Sequence, residues 1–161
     1  MTSSQRVSTC LWFDRQAEEA ATLYTSLIPG SRITDVSRYG EGSPLPAGTA
    51  MMVVFELAGT QYMALNGGPM FKHSEAASIV VKCETQAEID HLWSNFIAHG
   101  GKESQCFWLK DRYGLSWQIV PSKLGAWMTG PDKAASSRVF AVVMASVKPD
   151  IAALDAAYGG Q

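Results

Sequence analysis

The stretch AASIVVKCETQAEIDHLWSNFIAHGG, residues 76–101, decides the fold because it joins a strand to a helix. Residues 77–83 are rich in β-branched side chains and predict a strand. Thr85 and Glu88 have the spacing of a capping box, in which the Thr hydroxyl accepts from a free backbone amide. Apolar side chains then recur at helical spacing and predict a helix over residues 86–99, which a glycine pair ends. Its apolar stripe consists of Ile89, Leu92, Trp93, Phe96 and Ile97.

Three further strands are expected after this helix. They are predicted at residues 102–106, 107–110 and 115–120, with a hairpin connection at residues 111–114. In this connection, a turn-stabilising role for Asp111 is favoured over a charged gate formed with Arg112. The order strand, helix, strand, strand, strand therefore describes this half of the chain.

The same order of strands and helix is predicted for the first half of the chain. A strand at residues 6–13, a helix at 16–27 and strands at 32–39, 49–57 and 61–66 are predicted. One helix among four strands in each half favours an α+β fold with antiparallel-rich sheets over a doubly wound parallel sheet. The similarity between the halves lies in the order of elements rather than in the residues.

The expected organisation is one compact domain with three parts. Residues 1–68 form a first βαβββ module, residues 69–122 a second one, and residues 123–161 a helical C-terminal extension. In the extension, apolar spacing predicts helices at residues 136–146 and 149–158. We expect these helices to pack on the core or on a second subunit.

Composition excludes several classes of function. Of the 161 residues, 47% are hydrophobic and 17% charged, which is typical of a folded globular chain rather than a disordered one. The formal net charge of −2 provides no basic stripe for nucleic acid. The apolar runs are much shorter than the ~20 residues that cross a bilayer, so no membrane association is expected.

The three cysteines indicate the compartment. Cys10, Cys83 and Cys106 cannot all pair, and their spacing matches neither a zinc site nor a redox dithiol. Free thiols are typical of the reducing cytoplasm, where we expect this protein to be located. Each cysteine is interpreted first as a small buried hydrophobe.

Several sequence strings resemble a known family. They are LWFD at 11–14, AEEA at 17–20 with Tyr24, ALNGGP at 64–69, WLKDRYGLSWQIVP at 108–121 and DIAALDAAY at 150–158. Together with the two βαβββ units, they resemble the PhnB-like branch of the vicinal-oxygen-chelate superfamily. This superfamily includes glyoxalases, bleomycin-resistance proteins and extradiol dioxygenases, and the branch is also described as 3-demethylubiquinone-9 3-methyltransferase-like. The resemblance implies that the two modules form cups around a cavity and that the protein is a homodimer.

The resemblance also bears on metal binding. Metal-dependent members of the superfamily hold an ion with His, Gln or Glu side chains from the first and fourth strands of both modules. The corresponding positions fall at Thr9, Asn66, Ser78 and Gln118, of which only Gln118 is a familiar ligand type. Neutral hydroxyl and amide groups hold a divalent cation weakly against water. We therefore predict no catalytic metal.

No other cofactor is predicted. A nucleotide-type cofactor usually lies on a glycine-rich turn between a strand and a helix, whereas the glycines at positions 40, 42, 67 and 68 are in loops. Among the histidines, His91 and His99 are interpreted as surface residues. His73 follows a glycine-rich loop and is the histidine best placed to reach a pocket mouth.

Candidate ligand-binding residues are aromatic, amide and thiol side chains of the cupped sheets. For the aromatics, packing in the core is the alternative explanation, and for the amides it is exposure at a sheet edge. Cys106 has a reactive thiol as its functional interpretation and inert burial as the alternative. The candidates are Trp12, Asn66, Cys106, Trp108 and Gln118.

Two functions follow from this pattern. The first is a small-molecule-binding protein of the glyoxalase and bleomycin-resistance type that works without a catalytic metal. The alternative is a glyoxalase-like or PhnB-like enzyme, an isomerase, lyase or oxygenase, acting on a small substrate. A third possibility is a module that serves only dimerisation, and the sequence leaves open whether any reaction is catalysed.

Overall fold

A computed structural model describes residues 6–161. The chain divides into two units, with the boundary between His73 and Ser74. The elements of the first unit are β1 (Thr9–Phe13), α1 (Ala17–Leu27), β2 (Arg32–Arg38), β3 (Ala50–Leu57) and β4 (Thr60–Asn66). None of the helices within residues 6–161 has the length and apolar character that a bilayer crossing requires.

The first unit contains a mixed four-stranded sheet in the order β1-β4-β3-β2. β1 and β4 are parallel, and the other neighbours are antiparallel. Alternate side chains face α1, because successive residues of a strand point to opposite faces. Leu11, Phe13, Val53 and Phe55 are buried on that face, where the ring centroids of Tyr24 and Phe55 lie 6.3 Å apart. The core of this unit therefore lies between α1 and one face of its sheet.

The second unit repeats this topology. Its repeated module consists of β5 (Ser78–Cys83), α2 (Gln86–Ala98), β6 (Lys102–Glu103), β7 (Trp108–Lys110) and β8 (Ser116–Pro121). The sheet order is β5-β8-β7-β6, again with its first pair parallel and the others antiparallel. Phe96 of α2 packs on the fully buried Trp117 with ring centroids 4.7 Å apart. The expected α+β fold with paired βαβββ modules is confirmed.

The predicted capping box begins α2. The Thr85 hydroxyl accepts from the Glu88 amide at 3.2 Å, and the Glu88 carboxylate accepts from the Thr85 amide at 3.3 Å. The expected turn-stabilising role of Asp111 is also confirmed. Its Oδ1 accepts from the amides of Tyr113 and Leu115, and its Oδ2 accepts from Trp117 Nε1. One carboxylate thus holds both the hairpin connection and a core indole.

The C-terminal part contains three helices rather than the two that were predicted. They are α3 (Leu124–Thr129), α4 (Lys133–Ala145) and α5 (Ile151–Gly159). Asp132 and Asp150 cap α4 and α5 with side-chain oxygens. These helices belong to the second unit and bury Trp127, Val139 and Leu154 in one cluster with Phe107 and Val120. The short helix α3 was missed because six residues contain too few turns for an apolar period to appear.

The strand predicted at residues 102–106 is shorter in the structure and ends at Glu103. Cys106 and Phe107 have φ values of 59° and 71°, in the left-handed region, which a strand cannot contain. Their amides donate to the carbonyls of Ser146 and Val147 at 2.9 and 3.0 Å. The segment after α4 therefore holds this irregular turn, a tertiary constraint that local sequence does not contain.

Candidate functional site

The open face of the second sheet combines polar and aromatic side chains. Gln118 on β8 is the register partner of both Val80 on β5 and Trp108 on β7, so these three side chains share a face. Gln118 Nε2 donates to the hydroxyl of Ser78 at 2.9 Å. Two of the predicted site residues, Trp108 and Gln118, are thereby directly opposite each other.

A second row of side chains crosses the same face two residues away along each strand. Ser78 pairs with Ser116, Ser116 with Lys110, and Lys110 with Lys102, across four adjacent strands. We call these four residues the lysine row. Because register partners project to the same side, the row places two ammonium groups and two hydroxyls on one surface.

A cavity of about 240 Å³ lies at the lysine row. Trp108 contributes an aromatic wall, and the remaining lining residues are mostly polar or charged. The cavity is lined by Glu75, Lys102, Glu103, Ser104, Trp108, Leu109, Lys110 and Ser116. Sequence reasoning identified Trp108 in this set but missed the lysines and Ser116, whose common face depends on the register of three strand pairs.

Two carboxylates stand beside the lysines. Glu75 Oε1 lies 2.5 Å from Lys110 Nζ, and the hydrogen bond from Lys110 holds the pKa of Glu75 below its ordinary value. Glu103 accepts a hydrogen bond from Trp93 Nε1 at 2.7 Å. Lys102 has no ion-pair partner within residues 6–161. The local charge is thus only partly balanced by direct contacts.

The hydroxyl of Ser116 is the unusual polar group of this cavity. Ser116 is 1% exposed, and its Oγ makes no hydrogen bond within the described part of the chain. A buried hydroxyl without a partner is costly, and native proteins contain few of them. Such a group beside a cavity indicates where a ligand atom can bind.

The first unit places Trp12 and Asn66 differently. Trp12 is half-buried, its Nε1 donates to the carbonyl of Gly68 at 2.8 Å, and its ring meets Phe71 edge-on. Asn66 is 1% exposed; its Oδ1 accepts from the Ala17 amide, and its Nδ2 donates to the Ala50 carbonyl. Both atoms of the Asn66 amide are thus bonded to the backbone of the protein itself.

The first-module positions assigned to metal ligands need a correction. Asn66 reaches the first turn of α1, so its side chain is on the helix face of the sheet. Thr9 alternates in phase with Leu11 and Phe13 and shares that face. The open face carries the neighbouring side chains instead, because a shift of one residue in a strand exchanges the two faces. It presents Cys10, Trp12, Met52, Val54, Met63 and Leu65.

The cysteines and histidines have separate environments. Cys106 is half-buried, with its Sγ 3.7 Å from Met144 Sδ, whereas Cys83 is buried and Cys10 exposed. Burial raises the pKa of Cys83 to about 11. His91 and His99 are exposed, as predicted, and the His73 ring meets Phe13 edge-on with centroids 5.1 Å apart. Across residues 6–161, no three His, Cys, Asp or Glu side chains form a group that could hold a metal ion.

Comparison with known proteins agrees with the two repeated modules. The topology is that of the glyoxalase and bleomycin-resistance fold of the vicinal-oxygen-chelate superfamily. A family model described as 3-demethylubiquinone-9 3-methyltransferase matches residues 5–120. The chain belongs to this PhnB-like family. The model ends before α3, so the three C-terminal helices lie outside the match.

Solved structures give the same assignment. A PhnB protein from Bacillus cereus is 35% identical, with a TM-score of 0.66, and covers 72% of this chain and 99% of its own. A Pseudomonas aeruginosa protein is 21% identical, with a TM-score of 0.59, and covers 73% and 98%. The fosfomycin resistance protein FosX from Listeria monocytogenes is 16% identical, with a TM-score of 0.55, and covers 78% and 96%. The last two show the fold alone. No match was found among curated proteins.

Proposed function

We propose that this protein binds a small organic molecule at the open face of its second sheet and works without a catalytic metal. The observation that carries this function is the buried, unpartnered hydroxyl of Ser116 beside a cavity with an aromatic wall. Ligand sites typically combine such a wall with a few convergent polar groups. The cavity of about 240 Å³ lies just below the usual range of roughly 300–1,000 Å³, which favours a small ligand.

The five predicted ligand-binding residues have different roles in the proposal. Trp108 supplies apolar surface for a flat group, and Gln118, opposite it, holds Ser78 through its amide. Trp12 supports a second apolar surface on the first sheet, and Cys106 helps to fix the turn that precedes Trp108. Asn66 contributes by fixing α1 against its sheet rather than by touching a ligand.

The residues at the superfamily metal positions do not fit a divalent cation. Ser78 and Gln118 are neutral and hydrogen-bonded to each other, and the open face of the first sheet presents Cys10, Trp12 and other uncharged side chains instead of Thr9 and Asn66. Divalent cations prefer carboxylate, imidazole or thiolate ligands, and the nearby Lys102 and Lys110 would repel them. We therefore assign no step of the function to a metal ion.

Ligand screening of metal-free protein tests this function. We expect members of a small-molecule library to raise the melting temperature after dialysis against a chelator, because binding to the folded state stabilises it. Trp108→Ala should abolish these shifts. Met70→Ala is the control, since Met70 is an exposed hydrophobic side chain outside the cavity lining. A library in which no compound stabilises the wild-type protein would contradict the proposal.

An enzyme of the glyoxalase-like or PhnB-like class is the second candidate function. The family description names an enzyme, a methyltransferase, and so favours catalysis in general; one FosX crystal structure is described as a complex with Mn(II) and sulfate ion. Metal analysis of protein purified without chelators separates the two candidates. Metal-free protein that still binds ligands supports the first function, whereas a stoichiometric divalent ion that is lost in Gln118→Ala supports the second.

The assembly state is a separate part of the proposal. We infer a homodimer, because the family resemblance implies one and α4 exposes the large apolar side chains Phe140 and Met144. Light scattering at several protein concentrations should give a mass near twice the 17.4 kDa of one chain. A mass of one chain at all concentrations would contradict this part alone.

A further inference from the structure

The lysine row contains two like charges at directly opposite positions, and an anion bound between them would stabilise this arrangement. Lys102 and Lys110 are direct register partners on the antiparallel strands β6 and β7. Like charges at opposite positions of neighbouring strands destabilise a sheet. Lys110 is relieved by Glu75, whereas Lys102 has no ion-pair partner within residues 6–161. Only one of the two ammonium charges is therefore neutralised by a direct contact, and a second negative group can bind beside them.

Glu75 shows which chemical group this place accepts. The Glu75 carboxylate is paired with Lys110, yet the Glu75 side chain is 65% exposed. Glu75 precedes β5, which begins at Ser78. An exposed ion pair contributes little stability, because water and salt compete for both partners. Another carboxylate, delivered with apolar surface attached, can therefore replace Glu75 on Lys110.

Ser116 adds a donor at the base of the same row. It is the register partner of Lys110, and its buried Oγ has no hydrogen-bond acceptor within residues 6–161. A hydroxyl donates readily to a carboxylate oxygen, and such charge-assisted hydrogen bonds are stronger than neutral ones. Trp108, which lines the cavity beside the row, offers an aromatic face to the remainder of the molecule.

We propose that the ligand of this site is a small aryl carboxylate, whose carboxylate binds Lys102, Lys110 and the Ser116 hydroxyl while its ring packs on Trp108. The inference rests on the proposed binding function and names the ligand class for the same site. Binding exchanges Glu75 for the ligand on Lys110, and no covalent bond forms or breaks. Glu75 thus acts as an internal competitor that sets the affinity.

Calorimetric titration with benzoate, phenylacetate and their uncharged amides tests the ligand class. We expect at least one carboxylate to bind about tenfold more tightly than its amide, because the amide lacks the charge that both lysines attract. The affinity should fall as salt is raised, since screening weakens the lysine contacts. Inorganic phosphate should bind more weakly than the carboxylate because it has no ring to pack on Trp108.

Four variants assign the contacts. Lys102→Met should weaken carboxylate binding about tenfold, whereas Lys102→Arg should keep it within about threefold. Glu75→Gln should tighten binding, because it removes the competing carboxylate without removing the side chain. Lys82→Met is the matched control: it removes one positive charge from β5, outside the cavity lining, and should leave binding within about twofold.

Ser116→Ala keeps the proposal testable even if a lysine variant folds poorly. This change removes an unpartnered hydroxyl, so the melting temperature should be equal or higher, while carboxylate affinity falls about fivefold or more. Equal affinity for carboxylates and amides, with binding still dependent on Trp108, would overturn the ligand class and leave the binding function standing. Weaker binding in Glu75→Gln would also overturn the ligand class. Failure of every molecule in the wider library to bind would overturn the binding function itself.

Discussion

The side chain of Asn66 accepts a hydrogen bond from the backbone amide of Ala17 at 2.9 Å, across 49 residues of sequence. The residue before α1, Gln16, provides no side-chain cap, so Asn66 takes that role from the end of β4. Its Nδ2 simultaneously donates to the Ala50 carbonyl at 2.9 Å. One amide thereby links the first turn of a helix to two strands.

Replacing Asn66 should destabilise the first unit. Asn66→Ala leaves the Ala17 amide and the Ala50 carbonyl buried without this partner, and we expect a loss of about 2–4 kcal/mol in the free energy of unfolding. Urea denaturation followed by circular dichroism measures it. Asn95→Ala, which loses only exposed side-chain hydrogen bonds to His91, should cost less than about 1 kcal/mol. Equal effects of the two changes would contradict the capping role.

Gly67 should not tolerate a methyl group. A Cβ at this position would overlap the ring of Trp12, so Gly67→Ala should displace the indole and cost about 1–3 kcal/mol. Gly125→Ala is the matched control with the opposite expected sign. Gly125 lies in α3 with open space around it, so alanine should stabilise by roughly 0.5–1 kcal/mol. Thermal unfolding checks both, and a neutral Gly67→Ala would mean that Trp12 is free to move.

The left-handed backbone at Cys106 predicts a stabilising substitution. Cys106 has a φ of 59°, which glycine adopts without steric cost. We expect Cys106→Gly to raise the free energy of unfolding by up to about 1 kcal/mol, despite the loss of the Met144 contact. Cys10→Gly in β1 should instead be destabilising, because glycine weakens a strand. A large loss of stability in Cys106→Gly would show that the thiol contributes more than the backbone strain costs.

The thiol of Cys83 should resist alkylation in the native protein. Burial raises its pKa from 9.0 to about 11, so at pH 8 the reactive thiolate is scarce. Iodoacetamide followed by peptide mass analysis should modify exposed Cys10 first and Cys83 only after unfolding. Native labelling of Cys83 at the rate of Cys10 would contradict the burial.

The raised pKa of Cys83 also makes the stability of the fold depend on pH. Because the folded-state pKa of Cys83 lies above the unfolded value, its contribution is fully present below about pH 9 and is lost as pH rises towards 11. Cys83→Ser should therefore flatten the fall in melting temperature over that interval. An unchanged slope would assign the fall to other groups.

Local patterns accounted for most of the elements. The capping box of α2 and the turn-stabilising Asp111 depend on neighbours within a few residues, and both were predicted. The loss of strand at Cys106 was not, because carbonyls near residue 146 impose it. The candidate site divides in the same way. Trp108 and Gln118 were predicted as site residues, and they lie opposite each other on one sheet face; Ser116 and Lys102 were not singled out, because their place on that face depends on register across several strands.

The sequence by itself determined the two βαβββ modules, since apolar periodicity and turn residues act over short distances. The family resemblance assigned the metal positions to the neutral residues Thr9, Asn66, Ser78 and Gln118. Only the tertiary structure decided which side of each sheet those residues face. It shows that the side chain of Asn66, a candidate ligand contact in the sequence, caps the first turn of α1. The physical reason is that strands alternate faces with every residue, so facing depends on pairing with distant strands rather than on residue type.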